Sequence, residues 1–236
     1  MKKYILSVMA LATVALTGCT DRDTEGLTGI TTYPVLTLNG GDMIVQKGTS
    51  FEDPGCTADL GGADYSDNII TSSDVDTSTS GVYTVSYTVY NEDGFSASAS
   101  RSVIVVDMTD PIEGYYAVSA SSYRDSSGKQ TVYGEQYNIC IFNNGDGTYY
   151  CDDLLGGWYC QRAGYGTSYA LSGNISIDST TGEVQHLNSN LPGWASYGYK
   201  TESMTGSYDF TAHKFHYTVT YYVMIFVQDL TRLEEL

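Results

Sequence analysis

The residues best placed to do chemistry lie between Gly156 and Tyr169, where Gly156-Gly157-Trp158-Tyr159 is followed by Gly164-Tyr165-Gly166 and Tyr169. Trp158, Tyr159 and Tyr165 offer flat apolar faces with polar edges, and the glycines let the backbone turn sharply or approach a ligand. The chemistry this composition suits is non-covalent capture of a sugar or a peptide. An aromatic face stacks on the C–H side of a pyranose, and Asp152 and Asp153 just upstream can accept hydroxyl protons. Leu191-Pro192-Gly193-Trp194-Ala195-Ser196-Tyr197 reads as a loop, which adds Trp194 and Tyr197 as contact candidates. The candidate ligand-binding set is Trp158, Tyr159, Tyr165, Trp194 and Tyr197. The same rings and glycines would equally supply the core and corners of a small β-barrel.

Other chemistries find little footing. Gly-x-Ser-x-Gly, His-Glu-x-x-His and a phosphate-binding Gly/Lys loop are absent, so no catalytic residue is assigned and a non-enzyme is expected. His213 and His216 would point to opposite faces of a strand, and His186 has no partner at ligand spacing. The Asp-rich segment of Asp53, Asp59, Asp64, Asp67, Asp74 and Asp76 lacks the Ca²⁺-loop pattern and reads as a solvated acidic face. No metal and no cofactor are expected. Cys140 and Cys151 flank the Asn143-Asn144-Gly145-Asp146-Gly147 turn, so a regular hairpin would set them opposite each other for a cross-strand disulfide. Buried free thiols are the alternative of equal weight.

The elements that must position these residues are strands. Gly, Ser, Thr, Tyr and Val dominate, and short alternating runs are punctuated by Asp-Gly, Asn-Gly and Gly-Gly. From residue 34 to 107 the clearest pattern is Gly81 to Tyr90, in which Tyr83, Val85, Tyr87 and Val89 share one face. Asn91-Glu92-Asp93-Gly94 then makes a turn, and Ala97, Ala99, Val103 and Val105 supply the facing side. Residues 108–112 read as a linker. The segment 113–236 holds 16 of the 22 tyrosines and both tryptophans. Its strands are expected at 115–121, 137–142, 148–152, 169–177, 183–187, 206–210 and 215–230. The prediction is an all-β protein of two domains, the second of them antiparallel, a barrel or sandwich with lipocalin-like closure as one form.

Residues 1–18 are set apart from the fold. Lys2 and Lys3, the apolar run Tyr4 to Leu16, and Leu16-Thr17-Gly18-Cys19 resemble a bacterial lipoprotein signal and its lipobox. The resemblance implies a mature chain that begins at Cys19, lipidated and held to the outer membrane by its acyl chains. Residues 19–33 are polar and acidic behind that cysteine and read as a flexible tether. Such acidic tethers also resemble the signal that directs Bacteroidetes-type lipoproteins to the cell exterior. The net charge of −17 becomes two units more negative once Lys2 and Lys3 are removed. With no basic cluster, nucleic acid and anionic headgroups are not expected partners.

Two further resemblances concern the folded part. Pro34-Val35-Leu36-Thr37-Leu38, Asp53-Pro54-Gly55, Gly81-Val82-Tyr83-Thr84-Val85-Ser86-Tyr87 and Arg101-Ser102-Val103 resemble the HYR-type bacterial immunoglobulin-like domain, which implies an Ig-like β-sandwich over residues 34–107. The Gly147 to Ala170 stretch, Trp194 and Gly206-Ser207-Tyr208-Asp209 resemble a C-terminal domain of unknown function in Bacteroidetes lipoproteins. That family typically follows an Ig-like module and is encoded beside SusC/SusD-type uptake systems. It implies a non-catalytic accessory of such a transporter that binds glycan. A purely structural subunit and a peptide-binding accessory are the alternatives.

Overall fold

The computed structural model describes residues 31–235. The signal segment, Cys19 and most of the tether lie outside the described residues. The chain begins with β1 (Pro34–Leu38), β2 (Met43–Gln46), β3 (Cys56–Leu60), β4 (Ala63–Asp64), β5 (Ile70–Ser73), β6 (Gly81–Tyr90) and β7 (Ser96–Val106). One sheet has the order β1-β3-β4 and the other β2-β7-β6-β5. Val45, Val85, Tyr87, Val103 and Val105 are buried between them, with Leu36, Leu38 and Phe51 packed alongside. The alternation expected of β6 is present: Val85, Tyr87 and Val89 are buried while Val82, Thr84 and Tyr90 are exposed.

One inward residue of β7 is charged. Arg101 is 1% exposed, and its fork donates to three backbone carbonyls, Asn39 at 3.2 Å, Gly41 at 3.3 Å and Gly55 at 2.6 Å. Its Nε lies 3.3 Å from Asp53 Oδ1 without hydrogen-bond alignment. The Tyr87 hydroxyl donates to the same carboxylate at 2.6 Å. One guanidinium thereby fastens two loops, Asn39–Gly41 and Asp53–Gly55, to the end of the sandwich.

The second domain contains β8 (Gly114–Val118), β9 (Tyr123–Ser126), β10 (Lys129–Val132), β11 (Tyr137–Asn143), β12 (Thr148–Cys151), β13 (Ser172–Ile177), β14 (Glu183–Asn190), β15 (Thr201–Asp209), β16 (Lys214–Tyr221) and β17 (Met224–Leu233). Strands β8, β11, β12, β13, β14, β15, β16 and β17 are antiparallel neighbours, and the pairing of β17 with β8 closes them into an eight-stranded barrel. Closure is possible because β17 is long. Its second half, Leu230 to Leu233, pairs with β8, while its first half, Met224 to Val227, pairs with β9. The β9–β10 hairpin is thus laid against the outside of the closure. Tyr116, Val118, Ile139, Ile141, Phe215, Tyr217, Val219 and Phe226 point inward into one continuous core.

Two element expectations are corrected. The segment 215–230 is two strands, because Tyr221 pairs with Met224 and Tyr222-Val223 form a two-residue turn with Tyr222 at φ 55°. No Gly, Asn or Pro announces that turn. The β9–β10 hairpin was absent from the expected strands, although Ser127-Gly128 at φ 55° and 83° is the kind of pair that two-residue hairpins use.

The expected Cys140–Cys151 bridge is also corrected. Cys151 pairs with Ile141, not with Cys140, and the thiols are free. A one-residue offset in register sends neighbouring side chains to opposite faces. Cys151 therefore enters the barrel core, and Cys140 joins Ile104, Val106, Ile44, Met108, Tyr115 and Phe142 in a separate cluster between the two domains.

That interdomain cluster is stapled by Glu113. Its buried carboxylate accepts the Asp107 N–H at 2.7 Å on one oxygen and the Asn143 N–H at 3.0 Å on the other. Glu113→Ala leaves both donors without an acceptor and is expected to cost about 2 kcal/mol. Faster proteolysis within residues 107–113, measured against the wild type, checks this.

Candidate functional site

Between β12 and β13 the chain does not pass outside the barrel but folds into its end. Leu154, Leu155, Trp158 and Tyr159 from this plug are buried with the barrel's inward residues. Asp153 organises it. Its Oδ1 accepts the N–H of Leu155 at 2.9 Å and of Leu171 at 3.1 Å, and its Oδ2 accepts the N–H of Gly157 at 3.0 Å and the Cys160 thiol at 3.1 Å. Two core side chains hold the plug from the barrel side: Gln228 Nε2 donates to Leu154 O at 2.7 Å and Tyr133 OH to Leu155 O at 2.6 Å. Gly156 is required here, since its φ is 57° and a Cβ would sit 2.2 Å from Gln228 Oε1.

The plug and the loop between β14 and β15 meet in an aromatic cluster. Tyr159 contacts Trp194 edge to face at 4.4 Å between centroids and stacks with Tyr165 at 6.4 Å. Tyr169 lies against both Tyr165 and Trp194. Farther out, Tyr199 stacks with Tyr222 at 4.4 Å and with Tyr197 at 5.5 Å. Tyr165, Tyr197 and Tyr222 are 56%, 66% and 45% exposed. The surface is therefore a run of rings whose outermost members face solvent.

The five candidates separate on this geometry. Tyr165, Trp194 and Tyr197 belong to the surface run. Tyr159 is 6% exposed and supports it from beneath, while Trp158, 3% exposed, is core. Trp158 is withdrawn as a contact residue, because Tyr133 and Phe226 pack against its ring and two guanidiniums, Arg124 and Arg162, cover it. Sequence reasoning named Tyr169 in the aromatic segment but not among the contact candidates, and it overlooked Tyr199 and Tyr222. Tyr199 and Tyr222 are distant in sequence from the glycine-rich stretch, and nothing but the fold brings them to it.

Beside the aromatic run lies a cleft of about 360 Å³ lined by Tyr150, Asp152, Asp153, Cys160, Gln161 and Thr167, among others. The two features share the 165–170 segment. The histidines are engaged elsewhere and separately: His216 with Asp229 at 2.7 Å, His213 with Tyr208 at 3.1 Å, and His186 with Ser189 at 3.0 Å.

Comparison with known proteins places this architecture. The model of the BT2262-like C-terminal domain matches residues 105–232, and that of the bacterial surface protein Ig-like domain matches residues 36–105. The crystal structure of the lipoprotein BT2262 from Bacteroides thetaiotaomicron is 33% identical, with a TM-score of 0.71 over 85% of this chain and 100% of that one. The chain belongs to the BT2262-like family. It is a surface lipoprotein of the Bacteroides type with an Ig-like domain and a C-terminal eight-stranded barrel. Two structures containing CBM51 domains of Clostridium perfringens ZmpB match at 17% and 18% identity, with TM-scores of 0.29 and 0.27. They cover 52% and 50% of this chain and 15% and 31% of theirs, too slight a likeness to bear on fold or ligand. No curated protein matches.

In this BT2262-like barrel the most perturbed carboxyl of the cleft is Asp152, pushed up to about 7 by burial and by the neighbouring Asp153 charge, against the Cys140 N–H that its Oδ1 accepts at 2.9 Å. The folded state thus holds this proton more tightly than the unfolded chain, whose carboxyl titrates near 3.8. Its contribution to stability is complete below the unfolded value and is lost as pH rises towards about 7. Asp152→Asn keeps an oxygen for the Cys140 N–H and removes the titration. Thermal melts at pH 5 and pH 8 are expected to show a smaller fall in Tm for the variant than for the wild type.

Proposed function

We propose that this lipoprotein captures glycan without turning it over, as an accessory of a SusC/SusD-type nutrient uptake system on the exterior of the outer membrane. The observation that carries the reading is the near-parallel stack in which exposed Tyr197 and Tyr222 flank half-buried Tyr199, with Tyr165 continuing the same surface. Rings turned wholly inward would have favoured a structural role. Here the outer rings present free apolar area with hydroxyl edges, the combination that suits a pyranose. The adjacent cleft adds carboxylate, amide and hydroxyl groups for sugar hydroxyls. The lipobox-like Cys19 and the Ig-like module below the barrel support presentation outward from a membrane. The transporter partnership rests on the resemblance of the C-terminal domain to lipoproteins encoded beside such systems.

A glycan array probed with the full mature chain tests the binding. Tyr197→Ala with Tyr222→Ala is expected to weaken glycan binding about tenfold and to lower the melting temperature only slightly, because Tyr197 is 66% and Tyr222 45% exposed. An unchanged affinity would remove the aromatic surface from the reading. Pull-down of the tagged lipoprotein from membranes tests the partnership. A co-purified SusC/SusD-type pair supports it, and recovery of the lipoprotein alone counts against it.

One feature favours a peptide as the second reading. β10 ends the sheet and pairs only with β9, so one of its edges is open, and its last residue, Val132, is 54% exposed. An extended peptide could add to that edge by main-chain hydrogen bonds. Capture of peptides in place of glycans in the same pull-down would select it.

A further inference from the structure

Beneath the aromatic surface is a cation without a counter-charge. Arg124, on β9 opposite Phe226, is half-buried, and its guanidinium carbon lies 4.8 Å from the centroid of the Trp158 ring. Its Nη1 is 3.9 Å from the Met224 sulfur, and its Nε is buried with no hydrogen-bond partner. Arg162 covers the same indole at 4.2 Å, and its Nε donates to Tyr133 O at 3.0 Å. The ion pairs among the described residues involve Arg101, His216 and Arg232, and neither Arg124 nor Arg162. Glu135 lines the same shallow depression as Arg162 yet makes no ion pair with it. In a chain with 28 acidic residues and 11 basic ones, two such guanidiniums around one ring are not short of carboxylates to choose from.

A guanidinium withdrawn from water is unfavourable unless an anion and hydrogen-bond acceptors replace its hydration. The indole supplies part of that replacement. The Tyr159 hydroxyl and the Met224 sulfur face part of the fork, Nε is left without a partner, and the planar geometry of the group matches carboxylate or sulfate oxygens. Position decides what would bring them. The Tyr159 hydroxyl is 3.3 Å from the same Met224 sulfur, and the Tyr159 ring contacts Trp194 and Tyr165. Arg124 therefore stands immediately under the proposed glycan surface.

We propose that the glycan captured there is anionic, and that Arg124, with Arg162 as the flanking cation, receives a carboxylate or sulfate group on it. The inference rests on the glycan reading above and names its substrate class. The overall charge of −17 works in the other direction on densely charged chains. A local pair of cations in a negative field selects sparse anionic groups, such as single uronic acids or single sulfates, over polyanions.

Calorimetric titration of the full mature chain with three matched oligosaccharides, one neutral, one with a single uronic acid and one with a single sulfate, tests this. The expected result is binding of one anionic form about 10- to 100-fold tighter than the neutral one, the range for charged hydrogen bonds. That preference should be lost in Arg124→Gln, reduced in Arg162→Gln, and weakened by added salt. Whether the uronic acid or the sulfate form is preferred identifies the source of the charge. Arg162 is exposed, so its variant keeps the test open even if Arg124→Gln fails to fold. Equal affinity for neutral and anionic forms would overturn the inference and leave the glycan reading standing. An anionic preference that survives in both variants would also overturn it. Binding of none of the three, or Arg124-dependent binding of an acidic peptide instead, would overturn inference and glycan reading together.

Discussion

Arg101→Met is expected to destabilise the Ig-like domain by about 3 kcal/mol, because a nearly isosteric apolar chain takes the space and none of the charge. The Asn39 and Gly41 carbonyls lose their donor, the Gly55 carbonyl keeps only the Asn39 N–H at 3.1 Å, and Asp53 loses its ion pair. The estimate sits at the low end of the range for a broken buried pair because Asp53 is 25% exposed and water can reach it. For a domain of this size that corresponds to a Tm lower by on the order of 15 °C. Differential scanning calorimetry checks it. Asp53→Asn should cost much less, about 1 kcal/mol, since an amide oxygen still accepts from Tyr87. Equal losses for the two variants would mean that the ion pair, and not the clamp on the loop carbonyls, is what Arg101 supplies.

Asp153→Ala is expected to cost about 4 kcal/mol in the barrel and to expose the plug. The N–H groups of Leu155, Gly157 and Leu171 would be left buried without an acceptor, each at about 1–3 kcal/mol before water relaxes the site. Asp153→Asn retains an oxygen for Leu155 and Leu171 but turns an amide N–H towards Gly157, so roughly half the loss should return. The two tryptophans of the chain report the event directly. Trp158 is in the core against the plug's own barrel contacts, and Trp194 packs on Tyr159. Release of the plug should shift their emission to the red and abolish glycan binding in step. A variant that melts lower yet binds normally would show that the aromatic surface stands without the plug.

The residues that make the all-β architecture were readable for a simple reason. A strand alternates with period two, so Tyr83, Val85, Tyr87 and Val89 declare a buried face whatever they pack against, and so do Tyr217, Val219 and Tyr221. The Asn- and Asp-bearing turns at Asn91 to Gly94 and Asn143 to Gly147 were equally legible, because a positive φ is inexpensive for Gly, Asn and Asp, whereas Ser127-Gly128 carries only one such residue. Tyr222 was not, since it adopts φ 55° with a bulky side chain and nothing in its neighbourhood marks it. The cysteine pairing failed at a finer scale. The hairpin was recognised and its register was off by one residue, which is enough to put Cys140 and Cys151 on opposite faces.

By itself, then, the sequence determined the strand character of the chain, its division between a Val-rich and a Tyr-rich part, and its acidic charge. These follow from composition and local periodicity, which depend only on neighbours along the chain. Tertiary structure alone decided which aromatics face solvent. It sent Trp158 inward under two arginines and drew Tyr199 and Tyr222 up beside Trp194. It also left Arg124 among rings without an acid partner. Burial is a property of closure: until β17 meets β8, no local pattern says which end of the barrel the Asp153 plug will fill or which rings it will leave in water.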